Sequence, residues 1–181
     1  MPYGVAYDPS TGKVFIADTY NDRIMIYPPG ASTGTFGIGG TGLGTTQLNF
    51  PTGLYFDSIT NSVYIANTNG NNIVRWPVSA TNWILIAGSS SGASGSSLTL
   101  MNYPRDVTLD YMNNVYVADC NNNRALVFRA GQTTGYVVGG TGTPGSGATQ
   151  LNGPIGVAVD TDFNVYVADF SNNRVQRFDH Y

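Results

Sequence analysis

Apolar residues in this chain fall in short runs separated by turns rich in Gly, Asn and Asp, and the same series of runs recurs four times. The first run of each unit follows a proline (Pro2, Pro51, Pro104, Pro154) and ends in aspartate, covering 5–8, 54–57, 107–110 and 157–160. A second run occupies 14–17, 63–66, 115–118 and 165–168. Its unbroken β-branched and aromatic character, with no polar alternation, predicts a strand buried on both faces, as when sheet stacks on sheet. After a four-residue turn comes a third strand at 23–27, 72–76, 124–128 and 174–178, and then a fourth at 35–38, 83–87 and 136–138. The last unit stops short of a fourth strand, and no helix is expected anywhere. A period of roughly fifty residues carrying four strands is the signature of a propeller blade. The expected fold is therefore an all-β β-propeller of four-stranded antiparallel blades. One domain spans 1–181, with repeats at 1–49, 50–102, 103–152 and 153–181 and an incomplete last blade.

Segments 39–49, 88–102 and 139–153, rich in Gly, Ser and Thr, join each fourth strand to the next unit. They recur at one phase and each ends near an apolar anchor, Leu48, Leu100 or Leu151, so they read as blade-to-blade loops rather than linkers. The glycine string at 39–44 lacks the Lys-Ser/Thr pair and the following helix that a phosphate loop needs.

Composition narrows the function classes. Charged residues make up 10% of the chain and the net charge is −3, whereas proteins that read nucleic-acid backbones need a strongly basic face. Nucleic acid is excluded as an expected partner. No apolar run is long enough to cross a bilayer, so the chain reads as soluble, with no membrane partner. Every acidic residue is aspartate, and Lys13 is the one lysine. Cys120 stands alone, so no intrachain disulfide or cysteine metal site is expected. The sparse charge and abundant Ser, Thr, Asn and Tyr lean toward an extracellular setting, although no asparagine begins a glycosylation sequon.

The units resemble NHL repeats, and the fourth carries the pattern most fully. It reads Pro154-Ile155-Gly156-Val157-Ala158-Val159-Asp160, then Asn164-Val165-Tyr166-Val167-Ala168-Asp169, then Asn172-Asn173-Arg174-Val175 and Phe178. The double glycines Gly39-Gly40 and Gly139-Gly140 echo kelch repeats, but the Tyr and Trp spacing of that family is absent. The resemblance implies a propeller of six blades, roughly three hundred residues at this period, and on that footing the chain is expected to be a fragment.

Three sets of residues are candidates for chemistry. Asp18, Asp119 and Asp169 end the second strand and Arg23, Arg124 and Arg174 begin the third, which sets each pair across a hairpin as a structural ion pair. The second unit replaces both partners together, with Asn67 and Asn72. Asp8, Asp57, Asp110 and Asp160 each precede a turn where a carboxylate bonds backbone amides two residues on, a better account than a calcium ring. Ligand contacts are expected at the end of the blades that collects the long loops and the second-to-third strand turns, at Tyr3, Tyr20, Asn69, Arg105, Asp106, Asn121 and Phe170. There the third unit departs from pattern, with Arg105-Asp106 where the others read Tyr3-Gly4, Thr52-Gly53 and Ile155-Gly156.

Some six-bladed relatives implied by the resemblance are lyases and lactonases with a channel metal on histidine or acidic ligands. His180 is the only histidine and there is no glutamate to serve as a base. The leading expectation is a non-catalytic binding or scaffolding propeller without cofactor that recognises a protein or glycan on the loop-rich face. The alternatives are a metal-dependent hydrolase or lyase whose catalytic residues lie outside this sequence, and a structural protein that self-associates through open blade edges.

Overall fold

The computed structural model describes residues 1–179, so His180 lies outside the described residues. Four antiparallel sheets follow one another along the chain. The first holds β1 (Gly4–Tyr7), β2 (Val14–Asp18), β3 (Arg23–Tyr27) and β4 (Thr35–Gly39). The second holds β5 (Pro51–Asp57), β6 (Ser62–Asn67), β7 (Asn72–Pro77) and β8 (Ile84–Gly88). The third holds β9 (Pro104–Leu109), β10 (Val115–Asp119), β11 (Arg124–Phe128) and β12 (Tyr136–Gly139). The fourth has three strands, β13 (Pro154–Val159), β14 (Val165–Asp169) and β15 (Arg174–Phe178). Within each sheet, strands adjacent in sequence are hydrogen-bonded neighbours, the up-and-down order of a propeller blade.

Apolar side chains between successive sheets form the core. Phe15, Ile24 and Ile38 of the first blade pack with Val63, Ile65, Val74 and Trp76 of the second, and Leu48 from the connecting loop closes that layer. Equivalent layers join the second blade to the third and the third to the fourth. Strands β6 and β10 are buried at every residue, as the apolar runs foretell. In β2 and β14 alternate residues are only partly buried, which corrects the expectation of two covered faces in every unit. Each of these strands has a packed blade on one side only, and the side chains pointing the other way keep their exposure.

The expectation of no helix is also corrected. Single 3-10 turns at Thr19–Asn21, Cys120–Asn122 and Phe170–Asn172 link the second and third strands of their blades. Each ends in a left-handed residue, Asp22, Asn123 or Asn173, and Asn71 does the same in the second blade. Asp and Asn tolerate this conformation because their short polar side chains bond locally.

The inner strands β1, β5, β9 and β13 line a common central space, and glycine lets them approach. A Cβ on Gly4 would land on the Thr52 carbonyl oxygen, and one on Gly53 would lie 2.5 Å from the Cα of Asp106. The Pro-x-Gly start of the first two units is thus a packing requirement between neighbouring blades.

Candidate functional site

Register places Asp18 opposite Arg23, Asp119 opposite Arg124, Asp169 opposite Arg174 and Asn67 opposite Asn72. The three ion pairs close at 2.7, 2.8 and 2.7 Å, and Asn67 donates to Asn72 at 3.0 Å. Two of the three ion pairs do more than tie a hairpin. Asp119 Oδ1 accepts the Asn102 amide, and the Arg124 guanidinium donates to the carbonyls of Ser96, Ser97 and Leu100. Asp169 and Arg174 grip Asn152 and the carbonyls of Ser146, Gly147 and Gln150 in the same way. The pairs therefore fasten the long loops of their blades, a role that hairpin spacing alone does not reveal. Burial, which alone would raise the Asp169 carboxyl, is outweighed by Asn172, the Asn152 amide and Arg174, and it lies below the usual range. Asp119 is more deeply enclosed, and there burial wins and pushes the carboxyl up.

The aspartates after the first strands are engaged within their own turns. Asp57 Oδ1 accepts the Ile59 amide at 2.9 Å, Asp110 Oδ1 those of Met112 and Asn114, and Asp160 Oδ1 those of Asp162 and Asn164. Asp8 bonds Ser10 and Thr11 and is lowered to about 2, chiefly by their hydroxyls.

At the end of the blades that bears the long loops, Tyr3, Tyr20, Phe50 and Tyr103 form one patch of rings. Tyr3 stacks on Tyr20 at a centroid distance of 6.3 Å and meets Phe50 at 6.0 Å, while Phe50 stacks on Tyr103 at 6.4 Å. Tyr20 approaches Phe50 edge-on at 5.4 Å. The Arg105 guanidinium sits between Tyr3 and Tyr103, 5.2 and 5.6 Å from their centroids. Tyr3 and Tyr20 remain 48% and 59% exposed, so this patch faces solvent. A hydrogen bond to Tyr3 raises the Tyr20 hydroxyl above its ordinary value.

Backbone geometry aims these rings. Phe50 and Tyr103 immediately precede the prolines that open β5 and β9, and both are left-handed, with φ of 56° and 61°. The equivalent residue of the fourth blade is Gly153, at φ 60°. A bulky residue there costs about 1–2 kcal/mol relative to glycine. The conformation is held by the left-handed residue of the preceding blade: Asp22 accepts the Phe50 amide at 2.7 Å, Asn71 that of Tyr103 at 2.9 Å and Asn123 that of Gly153 at 3.0 Å.

Beside the rings opens a cavity of about 310 Å³ lined from all four blades, by Tyr3, Gly4 and Val5, Thr52, Gly53 and Leu54, Arg105 and Asp106, and Ile155. Burial lifts the Asp106 carboxyl to about 6, although the Val157 and Val107 amides pull the other way. Its Oδ2 accepts the Val157 amide at 3.0 Å and so reaches across to β13.

Of the residues selected from sequence, Tyr3, Tyr20, Arg105 and Asp106 come together at this mouth. Asn69 and Asn121 occupy the turn position of Tyr20 in their own blades, exposed and outside the ring patch. Phe170, 64% exposed, stands where the first two blades have buried Thr19 and Thr68. Phe50 and Tyr103 were missed. Their signal was available: large aromatics at a repeat position that the fourth unit fills with glycine.

A profile of the NHL repeat matches residues 101–128 and 151–178. The third and fourth blades carry NHL repeats. Their Asn-Asn-Arg segments are the turns and loop clamps described above, in the third and fourth blades. Among solved structures, this NHL-repeat chain is similar to one in a nidogen/laminin complex, with a TM-score of 0.73, 22% identity, and coverage of 98% of this chain and 59% of that one. It is also similar to an auxiliary nutrient binding protein from Bacteroides thetaiotaomicron, with a TM-score of 0.73, 18% identity, and coverage of 96% and 46%. A streptogramin B lyase aligns with a TM-score of 0.65, 16% identity, and coverage of 97% and 50%. At these identities the likeness is one of fold, and it includes both binding proteins and enzymes. The NHL-repeat chain spans about half the length of the structures it matches. No curated protein matches it in sequence.

Proposed function

We propose that this chain is a non-catalytic binding propeller whose recognition surface is the ring patch and cavity mouth at the loop-rich face, with a protein or glycan as its partner. The observation that carries this reading is the backbone: two aromatic residues are held in an unfavourable left-handed conformation that sets Phe50 against the solvent-exposed Tyr3 and Tyr20 and Tyr103 against Phe50. Strain kept where a glycine would serve supports a role for the side chain itself. Rigid aromatic area with small polar neighbours gives contact energy at low cost in conformational entropy. The nidogen/laminin and nutrient-binding structures lend this reading support by analogy.

An enzymatic reading would draw on Asp106, the buried carboxyl in the cavity. That group is bonded to the Val157 amide, and an enzymatic reading leaves the exposed rings without a role. The binding reading uses the rings and the cavity mouth beside them. The test is to screen glycans and extracellular protein fragments for binding to the wild-type chain and to Tyr20→Ala. The variant should keep its melting temperature and lose at least tenfold in affinity for whatever the wild type binds. Unchanged affinity would remove this face from consideration.

A further inference from the structure

Arg105 differs from the other arginines of the loop-rich face. Arg23, Arg124 and Arg174 each close on an aspartate of their own hairpin, whereas among the described residues no carboxylate forms an ion pair with Arg105. Its neighbour Asp106 is turned toward the fourth blade and the Val157 amide. The guanidinium is instead held between two tyrosine rings, partly buried, and opens on the cavity. These cation–π contacts hold the guanidinium without consuming its hydrogen-bond donors, so the donors remain for a ligand. A planar fork with free donors matches a carboxylate, which it binds through two parallel charge-assisted bonds.

Two observations favour a sugar acid over an acidic peptide segment. The rings of Tyr3, Tyr20 and Phe50 form a continuous patch edged by hydroxyls, suited to the C–H face of a pyranose and the hydroxyls around it. Arg105 is also the one Arg or Lys lining the cavity, a match for a single carboxylate rather than for a run of them. We propose that Arg105 receives the carboxylate of a uronate residue whose ring lies against the Tyr20 and Phe50 side of the patch. This inference rests on the reading of this face as the binding surface, and gives that face its ligand class.

The experiment is calorimetric titration of the intact chain with four probes: a disaccharide ending in glucuronate, its carboxyl methyl ester, the neutral glucose counterpart, and a blocked tripeptide with one central glutamate. The glucuronate probe should bind at least tenfold more tightly than the ester, the glucose counterpart and the tripeptide. Arg105→Gln should weaken it at least tenfold, and Arg105→Lys should fall between, with thermal melting confirming that both variants fold. Equal binding of acid and ester, indifference to Arg105→Gln, tighter binding of the tripeptide, or no binding of any probe would each overturn the proposal. Tyr20→Ala separates the two levels. A probe that loses affinity in Tyr20→Ala but not in Arg105→Gln overturns the carboxylate assignment and keeps the face. A probe that binds and ignores both changes overturns the face as well.

Discussion

Arg124 and Asp119 meet at 2.8 Å with side chains 7% and 0% exposed, and between them they hold one amide and three carbonyls of the loop that leads from β8 to β9. The second blade has the neutral pair Asn67 and Asn72 at the same two positions, where Asn72 still reaches a loop carbonyl, that of Ser89. Breaking a buried pair strands the remaining charge, while replacing both partners does not. Asp119→Asn and Arg124→Asn should therefore each cost about 3 kcal/mol or more in denaturant unfolding. The double variant should cost less than the sum by at least about 1 kcal/mol. Additive losses would mean that the two side chains act separately.

Phe50 is a large, half-buried aromatic whose removal should cost little. Phe50→Gly gives up ring contacts with Tyr3, Tyr20 and Tyr103 but relieves a left-handed backbone. The net change in unfolding free energy should stay within about 1 kcal/mol, the backbone relief offsetting the lost contacts. Phe15→Ala, in the first interblade layer, should cost about 3–5 kcal/mol. Equal losses at the two sites would show that Phe50 serves the core.

Asp106 gives the chain an inverted response to acid. Its folded value of about 6 lies above the ordinary 3.8, so between these values the folded state keeps a proton that the unfolded chain has released. Its contribution favours folding below pH 4 and is lost as pH rises through 6. Asp106→Asn keeps an acceptor for the Val157 amide and carries no charge. Relative to wild type, this variant should gain about 1–3 kcal/mol in stability between pH 4 and pH 7. A constant difference between the two proteins across that range would contradict the assignment.

The strands were legible because their signals are local and repeated. Four copies of an apolar run between Asn and Gly turns leave little freedom in assigning β2, β6, β10 and β14. Joint replacement of Asp and Arg by Asn67 and Asn72 pointed to mutual contact from sequence alone. What the pairs hold was not legible, because the loop carbonyls at 96, 97 and 100 come within reach of Arg124 only once the chain has doubled back. The partial exposure of β2 and β14 was hidden for a similar reason, since an apolar run records what a strand tolerates and not how many sheets flank it. Arg105 stood out as a break in the repeat, but its cation–π contacts with both Tyr3 and Tyr103 depend on bringing the first and third blades to one mouth. Phe50 and Tyr103 went unread because their conformation is a matter of backbone sign, to which hydropathy is blind.

The grip of Asp22, Asn71 and Asn123 on the next blade is made through a main-chain amide. The scaffold therefore tests the backbone at positions 50, 103 and 153 but not the side chain, which is Phe, Tyr and Gly in turn within this one sequence. The lettering of the face can change while the fastening between blades stays the same. Variation in what is recognised and preservation of the frame are thereby assigned to different atoms of the same residue.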